Sequence, residues 1–89
     1  MNALAAITLA RKHDVTGLSS LHVILALVED SPLRITDICE RTGLTAANAS
    51  LRVEYLRKRG WIIVATGRDR RTKVIIPSEK ACQVFSDAV

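Results

Sequence analysis

The tripeptide Gly43-Leu44-Thr45 constrains this chain more than any other feature, because it separates two stretches that each read as helix. Before it, Thr36 can cap a brief helix holding Ile38 and Cys39, and that helix stops at Gly43. Glycine takes the left-handed backbone that ends a helix and turns the chain sharply. Leu44 is apolar and is predicted to plug the core, while Thr45 can accept a backbone N–H as the next N-cap. From Ala46 to Arg59 nothing breaks a helix; Ala49, Val53 and Leu56 recur at i, i+4 and i+7 as an inward stripe, and Gly60 supplies the stop. Two helices joined in this way form a helix-turn-helix.

After Gly60 the pattern changes from period 3.6 to strand-like. Trp61 to Thr66 and Thr72 to Ile76 are rich in β-branched and apolar residues, with the polar turn Gly67 to Arg71 between them. A hairpin in this position is a wing. Pro77 ends the second strand, and Ser78 can cap a last helix holding Ala81, Cys82 and Phe85. Upstream, Asn2 to His13 has helix-forming composition, and Asp14 to Gly17 breaks it. Ser19 or Ser20 can then cap a second helix whose Leu21, Ile24, Leu25 and Val28 share one face. Glu29 to Pro32 reads as a turn, and Leu33-Arg34-Ile35 as a short strand. The expected fold is α+β, mainly helical: a winged helix-turn-helix with a two- or three-stranded antiparallel wing sheet. The expected domain is one, over residues 1–89, with the helix-turn-helix at about 36–59 and the wing at about 61–76.

Composition narrows the function. The chain is 48% hydrophobic, enough to offset the entropy of ordering 89 residues, but only 3% aromatic. A single Phe, Trp and Tyr give almost no material for stacking unpaired bases, which counts against a single-strand or RNA reader. Tyr55 and Trp61 are expected in packing roles. The longest apolar run, Val23 to Val28, is far short of the roughly 20 residues of a membrane span, and the first residues lack the basic segment of a secretory signal, so a cytoplasmic location is expected. Cys39 and Cys82 need no disulfide, and Cys39 reads as a small packed hydrophobe. His13 and His22 lack metal-ligand spacing, no glycine-rich phosphate loop is present, and the carboxylates fall on predicted helix surfaces. No enzyme activity, metal or cofactor is expected. So small a chain also leaves little room for an effector pocket.

Charge placement gives the function a direction. Residues 52–73 carry eight basic against two acidic residues, a net +6, while the rest of the chain carries five basic and seven acidic, a net −2. Excess positive charge gathered in one quarter of a chain suggests a side that faces a polyanion. On a helix-turn-helix that polyanion is duplex DNA. Thr45 and the helix N-terminus would hold a phosphate, since the first N–H groups lack partners and the dipole favours an anion. Asn48 and Ser50 would lie nearest base edges or phosphates, Asn48 having the alternative of assisting the cap at N3. Ala46, Ala47 and Leu51 offer small apolar contacts suited to thymine methyl groups, and Arg52 would reach the backbone. Arg68, Arg70 and Arg71 at the hairpin tip would place a guanidinium in the adjacent minor groove, with Asp69 orienting an arginine and Lys73 adding charge on the second strand. Arg57, Lys58 and Arg59 also complement a helix C-terminus, which is a sufficient structural role.

In this order and spacing the residues resemble the winged-helix DNA-binding domain of the MarR (multiple antibiotic resistance regulator) family. The resemblance covers Leu18 to Ala81. Leu18 to Val28 is similar to the supporting helix, Pro32 to Gly43 to the first helix of the motif, and Leu44-Thr45 to the opening of the recognition helix. Leu56 to Ile62 resembles the junction of helix and wing, Asp69-Arg70-Arg71 the Asp-x-Arg wing tip, and Ser78-Glu79-Lys80 the start of the next helix. The resemblance implies a transcriptional regulator that binds double-stranded DNA and forms a homodimer through its N- and C-terminal helices. Two-fold symmetry would then ask for a palindromic site with half-sites about 10 base pairs apart. The competing readings are a winged-helix adaptor that binds protein, and a replication or partition factor of a mobile element. Steep salt dependence distinguishes DNA binding from an apolar protein interface.

Overall fold

The computed structural model describes residues 3–88, and α1 opens it at Ala3–Lys12; Asn2, expected to begin this helix, lies outside the described residues. Alanine-rich composition favours the helix, and Arg11 and Lys12 set positive charge against the negative end of its dipole. Ala6 and Ala10 are its buried residues.

α2 (Leu18–Glu29) is the apolar centre of the molecule. Leu21, Val23, Ile24, Leu25, Ala26 and Leu27 are all buried, so the helix is enclosed on more sides than the spacing of one stripe predicted, and Val28 is half-buried. Neither Ser19 nor Ser20 caps it. The Leu21 N–H reaches the Gly17 carbonyl at 3.2 Å, which moves the N-cap back to Gly17, at φ 89°, with no side chain capping the helix.

α3 (Ile35–Thr42) also starts earlier than its predicted cap. Arg34 holds the N-cap position and donates its N–H to the Asp37 carboxylate at 2.9 Å, leaving Thr36 inside the first turn. That bond, with the Arg34 guanidinium beside it, holds Asp37 below the ordinary carboxylate range. The strand expected at Leu33-Arg34-Ile35 reduces to an isolated bridge at Leu33, which exchanges both backbone hydrogen bonds with Ile75, at 3.0 and 2.7 Å. Helix begins at Ile35, so the ladder has no room to continue.

Gly43 ends α3 at φ 77°, its N–H bonded to the Cys39 carbonyl at 2.8 Å. Leu44 is half-buried against the core, and α4 (Ala46–Lys58) follows with Ala49, Val53 and Leu56 buried, as the stripe predicted. After Gly60 the chain enters β1 (Ile62–Thr66), which pairs antiparallel with β2 (Lys73–Pro77), Val64 opposite Ile75. Each strand begins one residue later than expected; β1 ends at Thr66 as expected, and β2 runs on to include Pro77. Trp61 is buried at 3% exposure, its ring edge-on to Phe85 at 5.6 Å, and acts as a core residue at the junction. Ser78 caps α5 (Glu79–Phe85) by accepting the Ala81 N–H at 3.2 Å, and a short 3-10 turn closes at Ser86–Ala88.

Ile24, Leu27, Ile38, Leu56, Ile75 and Phe85 are fully buried in one apolar cluster that draws on α2, α3, α4, β2 and α5. The arrangement is a winged helix-turn-helix with a two-stranded wing. Cys39 is half-buried against the core and Cys82 is exposed; both are free thiols. No helix among the described residues is long and apolar enough to cross a membrane.

Candidate nucleic-acid interface

Burial of Ala49, Val53 and Leu56 dictates which side of α4 faces outward. Thr45, Ala46, Ala47, Asn48, Ser50 and Leu51 are exposed, with Leu51 at 60%, a large apolar side chain standing in solvent. Thr45 Oγ1 accepts the Asn48 backbone N–H at 3.2 Å. Asn48 therefore assists the cap through its main chain while its side chain remains on the exposed face.

Arg52 is half-buried, its guanidinium carbon 5.8 Å from the centre of the Tyr55 ring; Arg59 covers the same ring at 4.6 Å. Tyr55 ties α4 to the loop before α2: its hydroxyl lies 2.6 Å from Thr16 Oγ1 and accepts the Thr16 N–H at 3.4 Å. The Thr16 side chain, with the backbone N–H and the Arg59 charge in lesser roles, lowers the Tyr55 phenol from its ordinary value. Arg57 is committed to Glu54, with Nε 2.9 Å from Oε2, and this pairing holds the Glu54 carboxyl down. Of the three basic residues that end α4, Arg57 and Arg59 thus have partners within the fold.

The wing tip is ordered by an aspartate. Asp69 Oδ1 accepts the N–H groups of Arg71 and Thr72 at 3.1 and 2.9 Å, and Oδ2 accepts the Thr72 hydroxyl at 2.8 Å. These bonds, led by the Thr72 N–H, hold its carboxyl below the ordinary range. The expectation that Asp69 orients an arginine side chain is corrected: both its oxygens are occupied by backbone and hydroxyl donors, and what it fixes is the turn. Gly67 donates to the Thr72 carbonyl at 2.6 Å; a Cβ there would meet that oxygen at 3.0 Å, a tight contact that glycine avoids. Arg70 takes a left-handed φ of 61°. Arg68, Arg70, Arg71 and Lys73 are all exposed. Among the described residues the ion pairs use Arg34, Arg41 and Arg57, which leaves Arg52 and these four cations outside any of them.

Two clefts border α4. One, of about 330 Å³, lies between the helix and the wing and brings Ser50 and Lys73 together with Glu54, Arg57 and Val64. The other, of about 310 Å³, brings Asn48 and Arg52 together with Gly17, Leu18 and Ser19 at the start of α2. The three tip arginines line neither. The cleft at α2 was missed from the sequence, where Gly17 read only as a helix breaker; a glycine ahead of two polar residues was the available signal. No group of three or more potential metal ligands occurs among the described residues.

The sequence model of the MarR family matches residues 13–72, which runs from just after α1 through the wing tip. The chain belongs to the MarR family. Solved structures share the fold of this MarR-family chain at low identity. MepR of Staphylococcus aureus, in a complex with DNA, has a TM-score of 0.81 and 17% identity over 96% of this chain and 70% of its own. A point mutant of ZitR from Lactococcus lactis has a TM-score of 0.76 and 19% identity over 84% of this chain and 52% of its own. The PcaV transcriptional regulator of Streptomyces coelicolor, in complex with its natural ligand, has a TM-score of 0.75 and 21% identity over 89% of this chain and 58% of its own. This chain thus spans between about half and about two thirds of these structures. No curated protein matches it.

Proposed function

We propose that this chain is a DNA-binding transcriptional regulator that places α4 in the major groove of duplex DNA and the wing at the adjacent minor groove. The observation that carries the reading is an outward face of α4, Thr45 to Leu51, on the same small fold as four exposed wing cations that no ion pair among the described residues neutralises. Family membership and the DNA-bound MepR structure support it. Thr45 and the first N–H groups of α4 hold a phosphate; Asn48 and Ser50 meet base edges or phosphates; Ala46, Ala47 and Leu51 meet thymine methyl groups. Arg52 and Lys73 face the backbone, and Arg68, Arg70 or Arg71 enters the narrow groove, where negative potential is concentrated. The chain acts as one domain, a binding protein without catalytic chemistry or a cofactor, in the cytoplasm. It works as a homodimer joined by the N- and C-terminal helices, reading half-sites about 10 base pairs apart.

Fluorescence anisotropy with a mixed pool of duplex DNA tests this reading at two salt concentrations, for the native chain and an Arg70→Ala/Arg71→Ala variant. Salt-sensitive binding that the variant loses supports it. Absence of binding at low salt refutes it and leaves the winged helix as a protein-binding adaptor.

A further inference from the structure

We infer that Glu54 masks a phosphate site on α4: its carboxylate occupies the Arg57 guanidinium in the cleft that one strand of the duplex must cross, and so limits how tightly DNA is held. The inference rests on the duplex-binding reading proposed above and gives Glu54 and Arg57 a part in it.

With α4 in the major groove and the wing in the adjacent minor groove, one sugar–phosphate strand lies between the two elements, since that strand is what separates the grooves. The surface it crosses is the cleft of about 330 Å³ between α4 and the wing. Ser50, Glu54 and Arg57 enter this cleft from α4 at i, i+4 and i+7, one row along the helix, and Lys73 enters from β2. All four are exposed, whereas Val53 and Ile75, which close the cleft, are buried. A hydroxyl, an ammonium and a guanidinium suit phosphate oxygens. The carboxylate among them does not.

Residues 45–73 contain two acids, Glu54 and Asp69. Asp69 spends both oxygens on the wing turn, which leaves Glu54 as the carboxylate facing the strand. The fold gains little from it there. Its pair with Arg57 spans one turn of helix surface with side chains 50% and 47% exposed, and a pair so placed contributes little to stability. What the pair does is fill the guanidinium fork: Nε lies 2.9 Å from Oε2, and Nη2 is bonded to Oε1. That fork is the one that takes two phosphate oxygens side by side, so the carboxylate stands where a phosphate would and cancels the charge of Arg57 at the point where the strand passes.

The test compares the native chain with Glu54→Gln, Glu54→Gln/Arg57→Gln and Glu54→Gln/Lys58→Gln variants, titrated by anisotropy with the mixed duplex pool over several salt concentrations. All three positions are exposed and glutamine is a good helix former, so the variants should fold, with thermal unfolding as the control. Freeing Arg57 adds one phosphate contact: the slope of log K against log salt should steepen by about 0.9, and affinity at low salt should rise about tenfold. Arg57→Gln in the same chain should reverse both changes. Lys58→Gln removes the same charge from a residue that lines no part of this cleft, and should leave most of the gain. The Arg57 Nε resonance should shift when duplex is added to Glu54→Gln and stay in place when it is added to the native chain. A Glu54→Gln variant with native affinity and slope overturns the mask. So does a gain that Lys58→Gln cancels as fully as Arg57→Gln, which makes the effect one of net charge. Either result, beside a native chain that binds duplex with a steep salt dependence, leaves the DNA-binding reading standing. A native chain that binds no duplex at low salt removes that reading, and the mask with it.

Discussion

Removing Arg70 and Arg71 should flatten the salt dependence of DNA binding by an amount the structure fixes. Five cations on the proposed interface stand outside any ion pair among the described residues: Arg52, Arg68, Arg70, Arg71 and Lys73. If each neutralises one phosphate, the slope of log K against log salt per protomer is about −4.5, and raising salt fourfold costs about 500-fold in affinity. The Arg70→Ala/Arg71→Ala variant keeps three of the five, which gives a slope of about −2.7 and a cost of about 40-fold over the same range. The variant should fold normally, because both side chains are exposed and the turn is held by Asp69 and Gly67. Anisotropy titrations at four or five salt concentrations measure both slopes, with thermal unfolding as the control. A variant that binds more weakly at every concentration with the native slope refutes the reasoning. The arginines would then act by contacts that release no counterions, and the ion-pair census would be the wrong guide to which cations meet phosphate.

Thr45→Ala removes the side-chain cap of α4 and should cost about 1 kcal/mol of stability, seen as a lower thermal midpoint, with a larger relative loss in DNA affinity; Thr45→Ser should restore both. Asp69 has a lowered folded-state pKa, so its ordering of the wing tip is fully present above the ordinary carboxylate value of about 3.9 and is lost as pH falls through the lowered one. The Thr72 amide resonance should follow that titration at low pH and stay constant between pH 5 and 8; Asp69→Asn should abolish it. Leu56→Ala, at a fully buried position on the inward face of α4, should destabilise the fold by about 3 kcal/mol, read from chemical denaturation.

What could be read from the sequence was local. Gly43, Thr45 and the Ala49, Val53, Leu56 stripe act within one or two helical turns, so the residue types alone carry the information, and each occupies its expected role. The caps of α2 and α3 were misplaced because serine and threonine are good caps in general, while the choice at each site was made by the backbone: Gly17 took the cap of α2, and Arg34 with Asp37 took that of α3. Contacts between distant parts of the chain gave no local signal. The Leu33 bridge to Ile75 and the Tyr55 bond to Thr16 both join residues far apart in sequence. Asp69 shows a further reason for error: charge near charge invites a salt bridge on paper, yet unpaired N–H groups of a tight turn lay closer to its carboxylate than any guanidinium.

The chemistry of the exposed α4 face bears on how such a protein would find its site. Ala46, Ala47 and Leu51 present no hydrogen-bond donor or acceptor from their side chains, leaving Asn48 and Ser50 as the polar side chains among the exposed positions from Ala46 to Leu51. Each bidentate base contact is worth about 1–3 kcal/mol of discrimination, and here only Asn48 can make one from this stretch. The cations, by contrast, gain affinity from any duplex. A protein built this way should bind non-specific DNA firmly and separate its own site from others by a modest factor per half-site, drawing the remainder from thymine methyl contacts, from minor-groove width at the wing, and from the squaring of specificity that a symmetric dimer provides. Leu51→Gln tests that balance. Because Leu51 is 60% exposed, the change should leave stability unaltered, while preference for a thymine-containing site falls and non-specific affinity stays the same.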